Sequence, residues 1–192
     1  YAKLEISTIW IPWLGAVDMG IGFIILFVAV MLAAFSSGVI DGIDGLAAGV
    51  MAAIFSAYSG IAFFQNQIDL ATFCAVIVGG LLAFLWFNIP PARFFMGETG
   101  MLGLTTTLTV VAFLTDAVVT LPLIAFPLAL TTASDILQGL SRKLRGKKLF
   151  LVAPLHHHFE AKGWPSYKVT MRFWVVSVVF AVIGMVVTLM GK

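Results

Sequence analysis

The sequence predicts an all-α integral membrane protein, a polytopic helical bundle with about six transmembrane helices, and three observations lead there. Of 192 residues, 61% are hydrophobic and 10% charged, against roughly 25% charged in an ordinary soluble domain. A surface facing water cannot be covered from that composition. Six apolar stretches carry no charge and are each long enough to span a bilayer, and the charges that remain gather in connections at one end of the bundle.

The stretches run from Met19 to Ile40, Leu46 to Phe64, Leu70 to Asn88, Thr99 to Thr115, Ala117 to Ser134 and Phe173 to Gly191. At ~1.5 Å rise per residue, ~18 helical residues cover ~27 Å, near the hydrocarbon thickness. The fourth and fifth are short and separated only by Asp116, so a helical hairpin that fails to cross fully is the alternative there. Pro122 and Pro127 fall in the fifth; such kinks are tolerated where neighbouring helices satisfy the freed carbonyls. The single cysteine, Cys74, lies in the third, so no internal disulfide forms and packing is its role. The chain opens on Tyr1, with Lys3 and Glu5 before the first apolar run and no small-residue cleavage site, unlike a signal peptide. It reads as one transmembrane domain over residues 1–192, truncated on its N-terminal side.

Six crossings put the connections at 41–45, 89–98 and 135–172 on one side. That side carries Arg93, Arg142, Lys143, Arg145, Lys147, Lys148, Lys162, Lys168 and Arg172, against Lys3 and Lys192 on the other. The asymmetry makes the first side cytoplasmic, including a basic and histidine-bearing loop at 139–168. A basic stretch beside membrane spans is no footprint for nucleic acid, and spans nearly free of charge do not suggest a transporter. Asp41, Asp44, Glu98, Asp135, Glu160 and all three histidines share the basic side.

Three motifs carry the chemistry. Asp41-Gly42-Ile43-Asp44-Gly45 places two carboxylates three apart, on one face if the segment is helical, with glycines that let a backbone approach a ligand closely. Paired acids suit Mg²⁺ or the polar groups of a nucleotide; Asp and Gly equally make an ordinary turn. In the second motif, Pro90 and Pro91 end the third span, and Glu98 between Gly97 and Gly100 opens the next. A helix start with free N–H groups is an anion site, and an acid there can hold a pyrophosphate-bridging Mg²⁺ or merely favour the helix dipole. Phe95 either stacks a base or lies in the interface. The third is His156-His157-His158 inside Pro154 to Pro165. Three consecutive histidines cannot all face one point on a regular element, which argues against a compact zinc site from this triplet alone; two could bind phosphate oxygens while one orients them.

In this order, Asp-Gly-Ile-Asp-Gly-Leu-Ala at 41–47, Phe-Met-Gly-Glu-Thr-Gly at 95–100 and Ala-Pro-Leu-His-His-His-Phe-Glu-Ala-Lys-Gly-Trp at 153–164 resemble the phospho-N-acetylmuramoyl-pentapeptide transferases of the polyprenyl-phosphate sugar-1-phosphate transferase superfamily. The histidine motif separates that branch from the N-acetylglucosamine-1-phosphate transferases. The resemblance implies a ten-helix bundle in the bacterial inner membrane, of which this chain matches the last six helices. It implies a Mg²⁺ enzyme that moves phospho-N-acetylmuramoyl-pentapeptide from its UDP form to polyprenyl phosphate and releases UMP. Asp41 and Asp44 match acids near the nucleotide, with Gly42 between them on the substrate side. Asn88 and Phe95 match uridine contacts, Gln138 another nucleotide contact, Glu98 the Mg²⁺ ligand with Asp41 as its alternative, and His156, His157 and His158 the essential loop. A homodimer is one arrangement compatible with this reading; a relative using another UDP-N-acetylhexosamine and a non-catalytic homologue are the competing ones.

The departures are specific. Gly38-Val39-Ile40 stands where the family usually has Asn-Leu-Thr, Glu98 where it has Asp, Met101 where it has a small hydroxyl residue, and no Asp-Asp pair occurs anywhere. The chain alone is therefore expected to insert in a membrane and to lack turnover.

Overall fold

The computed structural model describes residues 7–191; Lys3 and Lys192, which entered the charge comparison, lie outside the described residues, as do Tyr1 and Glu5. In chain order the elements are β1 (Thr8–Ile11), β2 (Gly15–Asp18), α1 (Gly22–Ser36), a 3₁₀ turn (Ser37–Ile40), α2 (Leu46–Phe64), α3 (Ile68–Asn88), α4 (Gly97–Leu114), α5 (Leu121–Ile124), α6 (Phe126–Arg145), α7 (Leu155–Ala161) and α8 (Ser166–Met190). The architecture is the expected all-α polytopic one, and the protein is a multi-pass membrane protein. Among the described residues, five segments are long and apolar enough to cross a bilayer: Gly22–Ile40, Leu46–Phe64, Ile68–Asn88, Gly97–Leu114 and Ser166–Met190.

α2 is the central helix. Ala47, Ala48, Val50, Met51, Ile54, Phe55, Tyr58 and Ile61 along it are buried, while α1 has no buried residue. Small residues are what allow this, since helices in a bilayer associate by close packing rather than by expulsion from water. Gly49 is the clearest instance: the Trp174 indole of α8 occupies the place a β-carbon would take. Apolar side chains stand exposed on α1 and α3, among them Ile25, Leu32, Phe73 and Val76, as suits helices in a bilayer rather than in water.

The fifth predicted span is not one helix. The stretch from Ala117 to Ser134 turns first, forms α5, breaks at Ala125 and resumes as α6. Proline is the cause: Pro127 has no N–H to offer the carbonyl one turn earlier, and its ring crowds that turn. The interrupted passage still runs the length of the bundle. Thr120 at its start shares a 2.7 Å hydrogen bond with Thr188 near the end of α8, and Ser134 accepts one at 3.0 Å from the Leu155 N–H at the start of α7. α6 then continues through Asp135 and Gln138 to Arg145, where Gly146 closes it in a left-handed conformation with φ of 64°. The basic stretch expected to be loop from residue 139 is thus helical until that glycine.

The sequence pattern gave no sign of the β1–β2 hairpin. Its strands pair antiparallel from Thr8 with Asp18 to Ile11 with Gly15, and the Trp10 indole N–H donates to the Gly191 carbonyl at 3.1 Å. It seals the end of the bundle opposite the motifs.

Candidate functional site

The first motif is built as a turn, not a helix. After the 3₁₀ turn, residues 41–45 form successive turns, and Gly45 takes a left-handed φ of 72° to enter α2, a backbone that side chains disfavour. Asp41 and Asp44 therefore do not share a helix face. Each carboxylate instead receives a backbone N–H from the second motif: Gly97 donates to Asp41 Oδ2 at 2.8 Å and Ala92 to Asp44 Oδ2 at 3.0 Å. Hydrogen bonds to an ionised acceptor are roughly twice as strong as neutral ones. Two of them pin the 89–97 loop onto the 41–45 turn.

Asn88, at the end of α3, completes the join. It is 1% exposed; its Oδ1 accepts from the Gly45 N–H at 3.1 Å and its Nδ2 donates to the Phe94 carbonyl at 2.9 Å. From α8, Thr170 Oγ1 donates to the Asp44 carbonyl and Trp174 Nε1 to the Gly45 carbonyl, each at 3.0 Å. Thr170 and Trp174 escaped the sequence reading: their spacing of four puts them on one helix face, but their partners lie more than 120 residues away. Phe95 projects from the loop and is exposed.

Asp41, Gly97 and Glu98 border one cavity of about 480 Å³, together with Ser36, Gly38 and Met101. Glu98 sits in the first turn of α4, exposed, where the helix dipole favours its charge. Among the described residues no cluster of three His, Cys, Asp or Glu forms a metal cage. Two carboxylates on one cavity nevertheless suit Mg²⁺, which is usually held by one or two acids with substrate phosphates and water supplying the rest.

The histidines lie on α7, and α6 holds that helix in place. Gln138, 4% exposed, accepts at Oε1 from the Leu149 and Phe150 N–H groups, both at 2.9 Å, and donates from Nε2 to the Phe150 carbonyl at 3.1 Å. The resemblance implies nucleotide contacts for Asn88 and Gln138; in the structure both amides are engaged in joining chain segments. Gly42 meets the histidines directly, since a β-carbon there would stand 2.8 Å from His157 Nε2 and 3.1 Å from His156 Nε2. His157 Nδ1 is 2.7 Å from Glu160 Oε2, and Ser166 Oγ donates to Glu160 Oε1 at 2.6 Å. Burial works against the Glu160 carboxylate, but these hydrogen bonds and the neighbouring imidazoles carry its pKa below the usual value. An ionised carboxylate only accepts, so His157 donates through Nδ1, and Nε2, the nitrogen facing Gly42, is its acceptor when neutral. His158 is turned elsewhere: its Nδ1 accepts from the Leu151 N–H at 3.2 Å.

His156 is fully buried, and neither ring nitrogen has a hydrogen-bond partner among the described residues. Burial first, then the neighbouring His157, pushes its pKa from 6.5 down to about 4, against a smaller opposing pull from Glu160. The unfolded chain then binds a proton that the folded loop does not, so stability rises with pH between those values. The contribution is present above about pH 6.5 and is lost as pH falls toward about 4. Proteolysis of the 146–165 segment should accelerate across that window. In His156→Gln the acceleration should shrink; an unchanged profile would refute the assignment.

The three motifs, distant in sequence, thus meet at one end of the bundle. The glycosyl transferase family 4 model matches residues 1–116, which hold the first two. Over most of its length the chain is similar to proteins named phospho-N-acetylmuramoyl-pentapeptide-transferase. That of Lactiplantibacillus plantarum is 44% identical over 176 residues, covering 91% of this chain and 54% of the relative. The Geobacillus sp. protein is 39% identical over 170 residues, 88% of this chain and 52% of the relative. The Listeria innocua protein is 41% identical over 187 residues, 95% of this chain and 57% of the relative. The chain spans about half the length of the curated relatives it matches. With the matched region holding the 41–45 turn and the Glu98 cavity that it borders, the chain belongs to glycosyl transferase family 4.

Proposed function

We propose that the protein carrying this chain transfers phospho-N-acetylmuramoyl-pentapeptide from its UDP-activated form to polyprenyl phosphate, releasing UMP and forming a lipid-linked diphosphate sugar. The observation that carries this reading is the junction itself: Asp41 fastened to Gly97, Glu98 on the same cavity, and Gly42 under the Nε2 atoms of His156 and His157. The chemical problem is the approach of two anions, a carrier phosphate and a pyrophosphate. When bound, Mg²⁺ supplies charge neutralisation at the pyrophosphate and at the leaving group. Glu98 and Asp41 are the residues that would hold it. Asp41 and Asp44 keep the 89–97 loop in register, so that Glu98 in the first turn of α4 borders the same cavity as Asp41. His157, oriented by Glu160, and the cations at 142–148 add charge and hydrogen-bonding capacity around phosphate oxygens, where preorganised electrostatics lower the barrier. No residue is assigned as a general base. The test is UMP release by the complete protein with polyprenyl phosphate and Mg²⁺, comparing UDP-N-acetylmuramoyl-pentapeptide with UDP-N-acetylglucosamine. Release with the second nucleotide alone would overturn the substrate.

The same reading places the motif end in the cytoplasm at the inner membrane, where nucleotide-activated sugars are made, in keeping with the basic residues of the 142–172 region. Cysteines introduced at Ser141 and Ser166 should resist membrane-impermeant thiol reagents in intact cells and react after permeabilisation. Labelling from outside would reverse the orientation.

A further inference from the structure

Apart from the Asp41 and Glu98 cavity, with which it shares no residue, a second groove of about 520 Å³ runs between α6, α7 and α8. Its walls are apolar, including Leu130, Phe159 and Val176. At one end Phe126 of α6 and Phe180 of α8 stack with ring centroids 4.0 Å apart. At the other, Phe159 stacks on Trp164 at 5.0 Å, and that indole carries two cations, with Lys168 Nζ 4.6 Å and Arg172 Cζ 4.9 Å from the ring centroid. Among the described residues neither cation has an acidic partner; the ion pair there is His157 with Glu160. Arg172 also lines the groove. Phe180 lies eight residues further along α8, ~12 Å at helical rise, so the groove descends from a positive rim toward the bilayer interior.

We propose that this groove binds an anionic phospholipid, with its phosphate between Lys168 and Arg172 and one acyl chain laid along Val176 toward Phe180. Each part of that ligand has a counterpart. Basic pockets between membrane helices attract anionic headgroups, a tryptophan face holds its cations at headgroup level, and the aliphatic stems of Lys168 and Arg172 cover the top of the apolar wall. Inorganic phosphate would leave the apolar length unused, and a zwitterionic lipid would cancel much of the attraction. Polyprenyl phosphate has similar chemistry, but a reacting carrier must present its phosphate at the Asp41 and Glu98 cavity, which this groove does not share. The inference does not depend on which nucleotide sugar the protein uses.

The complete protein, delipidated and returned to nanodiscs, would be assayed by native mass spectrometry for retained dioleoylphosphatidylglycerol against dioleoylphosphatidylcholine. Two cations near the interface give a preference of roughly thirtyfold for the anionic lipid. In the Lys168→Gln, Arg172→Gln double variant the ratio should fall toward parity. Val176→Trp, which fills the groove and leaves the charge alone, should lower retention of both lipids. Thermal melting within a few degrees of wild type would establish that both variants fold. An unchanged preference in the double variant, unchanged retention in Val176→Trp, or displacement of the bound lipid by equimolar polyprenyl phosphate would overturn the proposal; the last result would give the groove to the carrier.

Discussion

Glu98→Gln in the complete protein should lower Mg²⁺-dependent UMP release by at least about 10²-fold, the loss expected when a group that stabilises transition-state charge by ~3 kcal/mol is removed. Glu98 and Asp41 are the two carboxylates on the 480 Å³ cavity, and Asp41 already has one oxygen committed to the Gly97 N–H. The amide keeps the size of the side chain and its place in the first turn of α4 but removes the charge, so folding should be nearly unaffected while higher Mg²⁺ fails to restore the rate. Glu98→Asp should retain measurable turnover, because the charge remains and only the reach shortens by one methylene. Full activity in Glu98→Gln would move the metal to Asp41 and the substrate phosphates.

Gly42→Ala should cost a comparable factor by a different route. The added carbon would stand 2.8 Å from His157 Nε2 and 3.1 Å from His156 Nε2. His157 is tied on its other side to Glu160, and the buried His156 ring lies 4.3 Å from the His157 ring. Neither imidazole withdraws without moving α7 or the 41–45 turn. A displacement of ~1 Å between reacting groups is enough to reduce rates on the order of 10²-fold. Turnover should fall with little change in helix content or in binding of the nucleotide alone. Wild-type turnover would mean that the histidine helix yields freely and that its contact with Gly42 has no catalytic consequence.

Much of this was legible in the residues. Charge-free runs such as Leu46 to Phe64 announce spans because a bilayer leaves a helix as the way to satisfy its own backbone, and the gathering of Asp41, Glu98 and the histidines at one end follows from counting crossings. What local patterns do not encode is which polar groups the fold itself engages. The resemblance implies nucleotide contacts for Asn88 and Gln138; in the structure one joins Gly45 to Phe94 and the other holds Leu149 and Phe150. Those bonds depend on tertiary neighbours. Between the helix and the turn that the residues at 41–45 allow, the structure has the turn, and the spacing of two acids carries no information about the left-handed Gly45 that ends it. The break at Ala125 was foreshadowed by Pro127, but composition alone does not say whether a bilayer helix bends or parts.

That break has a mechanical consequence. α5 is bound to the far end of α8 through Thr120 and Thr188, whereas α6 grips the histidine helix and the segment before it through Ser134 and Gln138. With the helix parted at Ala125 between these two attachments, the hold on the far end of α8 and the hold on the histidine helix are made by separate segments.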